Sequence, residues 1–93
     1  MLARISQKWY LNGMLTNYIK AAMKTAKYEI LSDDGTFYGE IPRFDGVWAN
    51  AQTLEGCRDE LEEVLEEWIL FRVSKNILLP TVNGLLLAVK EVV

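Results

Sequence analysis

Five carboxylates in the first half of the chain are the side chains best suited to chemistry: Glu29, Asp33, Asp34, Glu40 and Asp45. Metal-dependent nuclease chemistry needs several such groups converging on divalent cations that activate water. The spacing argues against convergence. Asp33 and Asp34 run into Gly35, and Asp45 into Gly46; Asp is favoured in such turns because its side chain hydrogen-bonds the local backbone. Glu29 and Glu40 fall in two neighbouring strand-like runs, where they either face each other or diverge. No spacing brings three carboxylates to one centre. The sequence holds no histidine, which removes the commonest general base and metal ligand. A Ser-His-Asp or Cys-His nucleophile therefore cannot be assembled within this chain. The single cysteine, Cys57, reads as a small buried hydrophobe, since a reactive thiol needs electropositive surroundings and its sequence neighbours are mostly acidic. The expectation is a protein that is not an enzyme, with no metal and no cofactor.

Binding is the remaining class, and composition narrows it. Ninety-three residues make one domain, yet 51% of them are hydrophobic, more than so small a core can hide. A contiguous exposed apolar patch usually marks a protein contact, so a homo-oligomer, dimer or tetramer, is expected. The net charge of -3 argues against general nucleic-acid binding, which draws most of its affinity from Lys and Arg on phosphates, and suits a basic partner. One cysteine excludes an internal disulfide framework. No apolar run is long enough to span a bilayer, and the N-terminus, interrupted by Arg4, Gln7 and Lys8, lacks the apolar core of a signal peptide. A cytoplasmic protein is expected.

The elements that would carry these residues follow from the hydrophobic pattern. Residues 1–14 have no clean period and read as an N-terminal arm ending in the turn pair Asn12-Gly13; residues 15–93 read as one domain. Leu15, Tyr18, Ile19, Ala22, Met23 and Ala26 recur at helical spacing, with Lys20 and Lys24 on the wet face. Three strand-like runs follow, Tyr28–Ser32, Thr36–Ile41 and Val47–Ala51, separated by Asp33-Asp34-Gly35 and by Pro42 to Gly46. Short turns between successive strands make them an antiparallel meander. Thr53 reads as an N-cap, with Glu55 in the first turn, for a helix from Leu54 to about Ser74. Its apolar face is Leu54, Cys57, Leu61, Val64, Leu65, Trp68 and Phe71, and acidic residues crowd the rest. Pro80 prevents continuation. The apolar run 85–93 after Asn83-Gly84 reads as a short C-terminal strand, or else a helical turn.

The order Tyr28-Glu29, Tyr38-Gly39-Glu40-Ile41-Pro42, Gly46-Val47-Trp48-Ala49, Thr53-Leu54-Glu55, Cys57, Leu61, Trp68 and Pro80 resembles the HicB-like family, the antitoxin side of HicA–HicB toxin–antitoxin pairs, and within it the short stand-alone members. The resemblance covers roughly residues 15–90. It implies an α+β fold like a truncated RNase H sheet, an antiparallel meander with a long helix packed across one face, here preceded by the N-terminal helix that the spacing predicts. It also implies a partner, a small basic HicA-like nuclease whose active site the module covers. Many members carry a C-terminal DNA-binding segment. Only thirteen residues follow Pro80 here, which argues against operator binding by this chain. The turn also departs from the family pattern, which usually has Pro before the glycine where Asp45 stands.

On that reading, Asp59, Glu62 and Glu66 are candidate partner-binding residues on the long helix, where complementary charge would raise on-rate and specificity. Candidate oligomer contacts are Leu15 and Ile19 from the first helix and Trp68, Ile69, Leu70, Phe71 and Val73 from the end of the second, which is apolar almost all round. An RNA-binding domain is the alternative: Trp9, Tyr10, Tyr18, Phe37, Tyr38 and Trp48 would form a stacking platform, beside a small positive groove of Lys20, Lys24, Lys27 and Arg43. A third possibility is a solitary HicB-like protein with a different role.

Overall fold

In the computed structural model, residues 15–82 are described. The arm 1–14 and the candidate strand 85–93 lie outside them. Helix α1 includes residues 15–24. Three strands follow, β1 (Lys27–Ile30), β2 (Phe37–Glu40) and β3 (Trp48–Ala51), then helix α2 (Leu54–Ser74). The strands pair antiparallel in the order β1-β2-β3, the meander that the turn spacing predicts. Each is four residues long, a residue or two shorter than its β-prone run, because the run ends are drawn into turns.

Those turns are chemically specified. In the β1–β2 loop, the Asp34 carboxylate accepts hydrogen bonds from the Thr36 backbone N–H (2.9 Å) and hydroxyl (2.7 Å), which hold its pKa below the usual carboxylate range. The β2–β3 connection is two successive β-turns. Phe44 N–H donates to the Ile41 carbonyl and Val47 N–H to the Phe44 carbonyl. Pro42 and Arg43 are the central residues of the first, Asp45 and Gly46 of the second. Positive φ falls on the second central residue of each, 73° at Arg43 and 89° at Gly46, the signature of type II turns. Gly46 adopts that conformation without strain; Arg43 does so at a cost of about 1 kcal/mol. The double turn drives the Phe44 side chain inward between the helices.

Helix α2 begins as its sequence requires. The Thr53 hydroxyl accepts from Gly56 N–H at 3.0 Å, and Glu55 sits at the positive end of the dipole. It ends in a Schellman motif: Asn76 takes the left-handed conformation (φ 56°), its N–H reaches the Val73 carbonyl, and Ile77 N–H reaches the Arg72 carbonyl. The buried residues of α2 are Cys57, Leu61, Leu65 and Ile69, one per turn along a single ridge. They meet Ala49 of β3, Ile41, Val47 and Phe44, while Tyr18, Ala22 and Met23 of α1 complete the core with Leu79 and Val82. No polar or charged side chain is buried among the described residues. The outer members of the predicted apolar face differ from expectation: Leu54 is 47% exposed and Phe71 59%. Phe71 stands two residues past Ile69, a rotation of about 200°, so it points away from the sheet.

Candidate partner-binding surfaces

The sheet and α2 close tightly at one seam. Tyr28 lies opposite Gly39 across β1 and β2. A Cβ on Gly39 would lie 2.8 and 2.9 Å from the Tyr28 ring and 3.1 Å from the Cys57 sulfur. Gly39 is thus the gap into which the ring and the helix settle. Cys57 is fully buried, its Sγ 3.6 Å from the Ala49 carbonyl, and burial, with Glu60 adding to it, pushes its pKa up. The protonated thiol this favours matches the small hydrophobe expected from sequence. Burial also raises the Tyr28 pKa, with Arg58 partly offsetting it.

A second sealed region joins both helices to the double turn. Phe44 packs its ring 4.9 Å from that of Trp68 and 6.3 Å from that of Tyr18. Trp68 Nε1 donates to the Asp45 carbonyl at 2.9 Å. The Arg72 guanidinium lies 4.3 Å over the Trp68 ring and donates to the Leu78 carbonyl, and the Tyr18 hydroxyl donates to the Pro80 carbonyl. Burial raises the Tyr18 pKa despite the opposing charges of Arg43 and Arg72. The segment after α2 is thereby tied back onto both helices.

Against these sealed parts the candidate site residues divide. Asp59 and Glu66 are exposed on the solvent side of α2, and Glu62 is half-buried on the flank nearer Tyr28, whose electrostatic neighbours include it and Arg58. Spacings of three and four residues keep all three on adjoining strips of one helix. The candidate oligomer residues are more scattered. Ile69 belongs to the core of its own chain. Leu15, Ile19, Trp68 and Val73 are half-buried against that core. Leu70 and Phe71 are the freely exposed members, and Ile77 and Leu78 join them as exposed large hydrophobics just beyond the helix.

Of the carboxylates considered for metal chemistry, Glu29 and Glu40 share one hollow on the open face with Lys27 and Tyr38, while Asp33, Asp34 and Asp45 sit in the turns. Glu29 lies opposite Tyr38, and Glu40 opposite both Lys27 and Trp48. No group of three or more potential ligands that could hold a metal ion occurs among the described residues. Of the aromatics proposed as a stacking platform, Tyr18 is buried, Trp9 and Tyr10 lie outside the described residues, and Phe37 shares the helix-facing side of the sheet with Gly39. Only Tyr38 and Trp48 meet on the open side, stacked with centroids 6.2 Å apart and 25° between planes. Glu40 and Glu29 beside them add to burial in raising the Tyr38 pKa.

One surface was not anticipated from the sequence. A groove of about 520 Å³ runs between β3 and α2, lined by Trp48, Ala49, Asn50, Glu60, Glu63, Val64 and Glu67. The spacing 60, 63, 64, 67 marks a single helical strip, readable in advance. That this strip overlooks a sheet edge follows from strand order, which local sequence does not carry.

The chain is therefore a small α+β module, and among the described residues its charged side chains lie on open surfaces. It belongs to the UPF0150-like family, whose model matches residues 17–80. It is also similar to TTHA0281 from Thermus thermophilus, known from a crystal structure, at 36% identity over 84% of this chain and 96% of that one, with a TM-score of 0.79. No curated protein matches it. Among the described residues no helix is long and apolar enough to cross a membrane.

Proposed function

We propose that this chain is a non-catalytic, HicB-like protein-binding module that inhibits a small basic HicA-like mRNA nuclease by covering its active site. The observation that carries the reading is the acidic exterior of α2: Asp59, Glu62 and Glu66 lie outside the core, on a helix whose fold is secured by its opposite ridge. A cationic nuclease surface would meet negative charge presented by a preformed helix, which favours fast, selective encounter. Family membership supports the same reading, since the HicB-like pattern of turns, cap and glycine covers the matched region. Self-association belongs to the proposal as well. Leu70, Phe71, Ile77 and Leu78 expose apolar area at one end of the molecule, where a second copy would cover it. We place the module in the cytoplasm, where such a nuclease would act.

RNA binding is the weaker reading. The stacked Tyr38–Trp48 pair would favour it, but Glu29 and Glu40 share that face and repel phosphate. The test is co-expression with a small basic HicA-like protein, followed by tandem purification and an RNA-cleavage assay. Stable co-purification with loss of cleavage is expected. A partner that cleaves RNA equally well with or without the chain would overturn the inhibitor role.

A further inference from the structure

The open edge of β3 has a geometry that the proposed function does not use. Ile41 N–H bonds to the Val47 carbonyl, and Glu40 pairs with Trp48 and Gly39 with Ala49. In an antiparallel ladder the residues alternate between exchanging bonds with the neighbouring strand and pointing away from it. Ala49 and Ala51 therefore bond to β2, while Trp48 and Asn50 direct their N–H and C=O groups outward. In the order β1-β2-β3, β3 is a terminal strand, and neither of the other two strands pairs with these outward groups. The groove they border is open, with Glu60, Glu63 and Glu67 along its α2 wall. Trp48, 55% exposed, stands on the other side of the sheet plane.

We infer that the β3 edge with its groove is a docking site for an extended basic segment of a partner protein, which adds to the sheet as a fourth strand. Main-chain hydrogen bonds to Trp48 and Asn50 would supply affinity, and alternate side chains specificity. The alternation fits both walls. Side chains on the helix side of an added strand meet the three carboxylates, which selects Lys or Arg. Those on the open side meet the Trp48 ring, which selects apolar or cationic groups. An acidic segment would be repelled, as would the phosphates of a nucleic acid. The inference goes beyond the toxin reading, since it concerns a different strip of α2 and needs only that the partner be a basic polypeptide.

Binding of a short blocked peptide alternating arginine with valine, titrated calorimetrically into the full chain, tests this. Two variant peptides are compared, one N-methylated on the valine amides and one on the arginine amides. An added strand turns only one set of amides toward β3. One methylated peptide should therefore lose about tenfold or more in affinity, as expected for lost main-chain bonds, and the other should keep most of it. Glu60→Gln/Glu63→Gln/Glu67→Gln should also weaken binding about tenfold. Equal binding of both methylated peptides would mean unspecific charge attraction and would overturn the inference. So would no binding of the parent peptide, whether because residues 85–93 already occupy the edge or because the carboxylates only guard it, in which case the triple variant would self-associate. A chain that inhibits the small basic nuclease but ignores these peptides keeps its proposed function and loses this docking mode.

Discussion

Beneath α2 the sheet packs closely at Gly39, whereas beside α2, along β3, it borders an open groove. In the sealed part Gly39 exists to admit the Tyr28 ring and the Cys57 sulfur, and Phe44, Trp68 and Tyr18 lock the double turn between the helices. In the open part Trp48, Asn50 and three carboxylates border a groove that no described residue fills. The positions matched to the HicB-like pattern belong mostly to the sealed part: Gly39, Pro42, Gly46, Thr53, Cys57, Leu61 and Trp68 are a glycine gap, turn formers, a helix cap and packing residues. A family signature of that kind specifies shape. The surfaces available for recognition are written in residues the signature does not contain, which is why likeness in fold says less about partner than about architecture.

Substitutions can break this contrast. The largest effect is expected at the centre of the buried ridge, where Leu65→Ala should cost about 2–5 kcal/mol in denaturant unfolding. Glu63→Gln in the groove should stay within about 0.5 kcal/mol. Comparable losses at the two sites would mean that the groove is structural after all. Next in size is Gly39→Ala, where the added methyl meets ring and sulfur at contacts that neither can tolerate unmoved; about 1–3 kcal/mol is expected. Combined with Tyr28→Ala, which removes the ring, the loss should be well below the sum of the two single losses. Simple additivity in that cycle would remove Gly39 from the account of the seam.

The gentlest probe is pH. The raised pKa values of Cys57, Tyr28 and Tyr18 mean that the folded chain holds these protons more tightly than the unfolded one. Their contribution is complete below the unfolded-state values and is lost as pH rises through the folded ones. Stability should therefore decline in alkali, and Cys57→Ala should flatten the start of that decline. Asp34 acts at the other end with the opposite sign: its lowered pKa contributes above the unfolded value and is lost as pH falls through the folded one. A stability profile flat through the thiol and phenol ranges would contradict the burial of these groups.

Much of the fold was readable because its signals are local. Asp-Gly pairs and Pro42 mark where the strands end and turn, Thr53 the cap, and helical spacing the buried ridge, whereas the extra turn at Pro42-Arg43 is visible only in the structure. The apolar end of α2 was less so. Ile69 and Phe71 are equally hydrophobic, and only their rotation relative to a sheet that is distant in sequence makes one core and the other surface. The acidic residues show the same limit. Asp59, Glu62 and Glu66 stand out as a surface strip from periodicity alone, but Glu60, Glu63 and Glu67 acquire meaning only once β3 is known to be an edge.

The central claim is that the outer strip of α2 carrying Asp59, Glu62 and Glu66 binds a small basic protein, while the buried ridge on the opposite side of that helix only keeps the module folded. The most direct measurement is the affinity of the chain for a small basic HicA-like nuclease, wild type against Asp59→Lys/Glu62→Lys/Glu66→Lys, with thermal melts recorded in parallel. The account predicts a tight wild-type complex, a loss of about tenfold or more in the variant and a preserved cooperative melt. Equal affinity of the two chains, or no complex with the wild type, would contradict it.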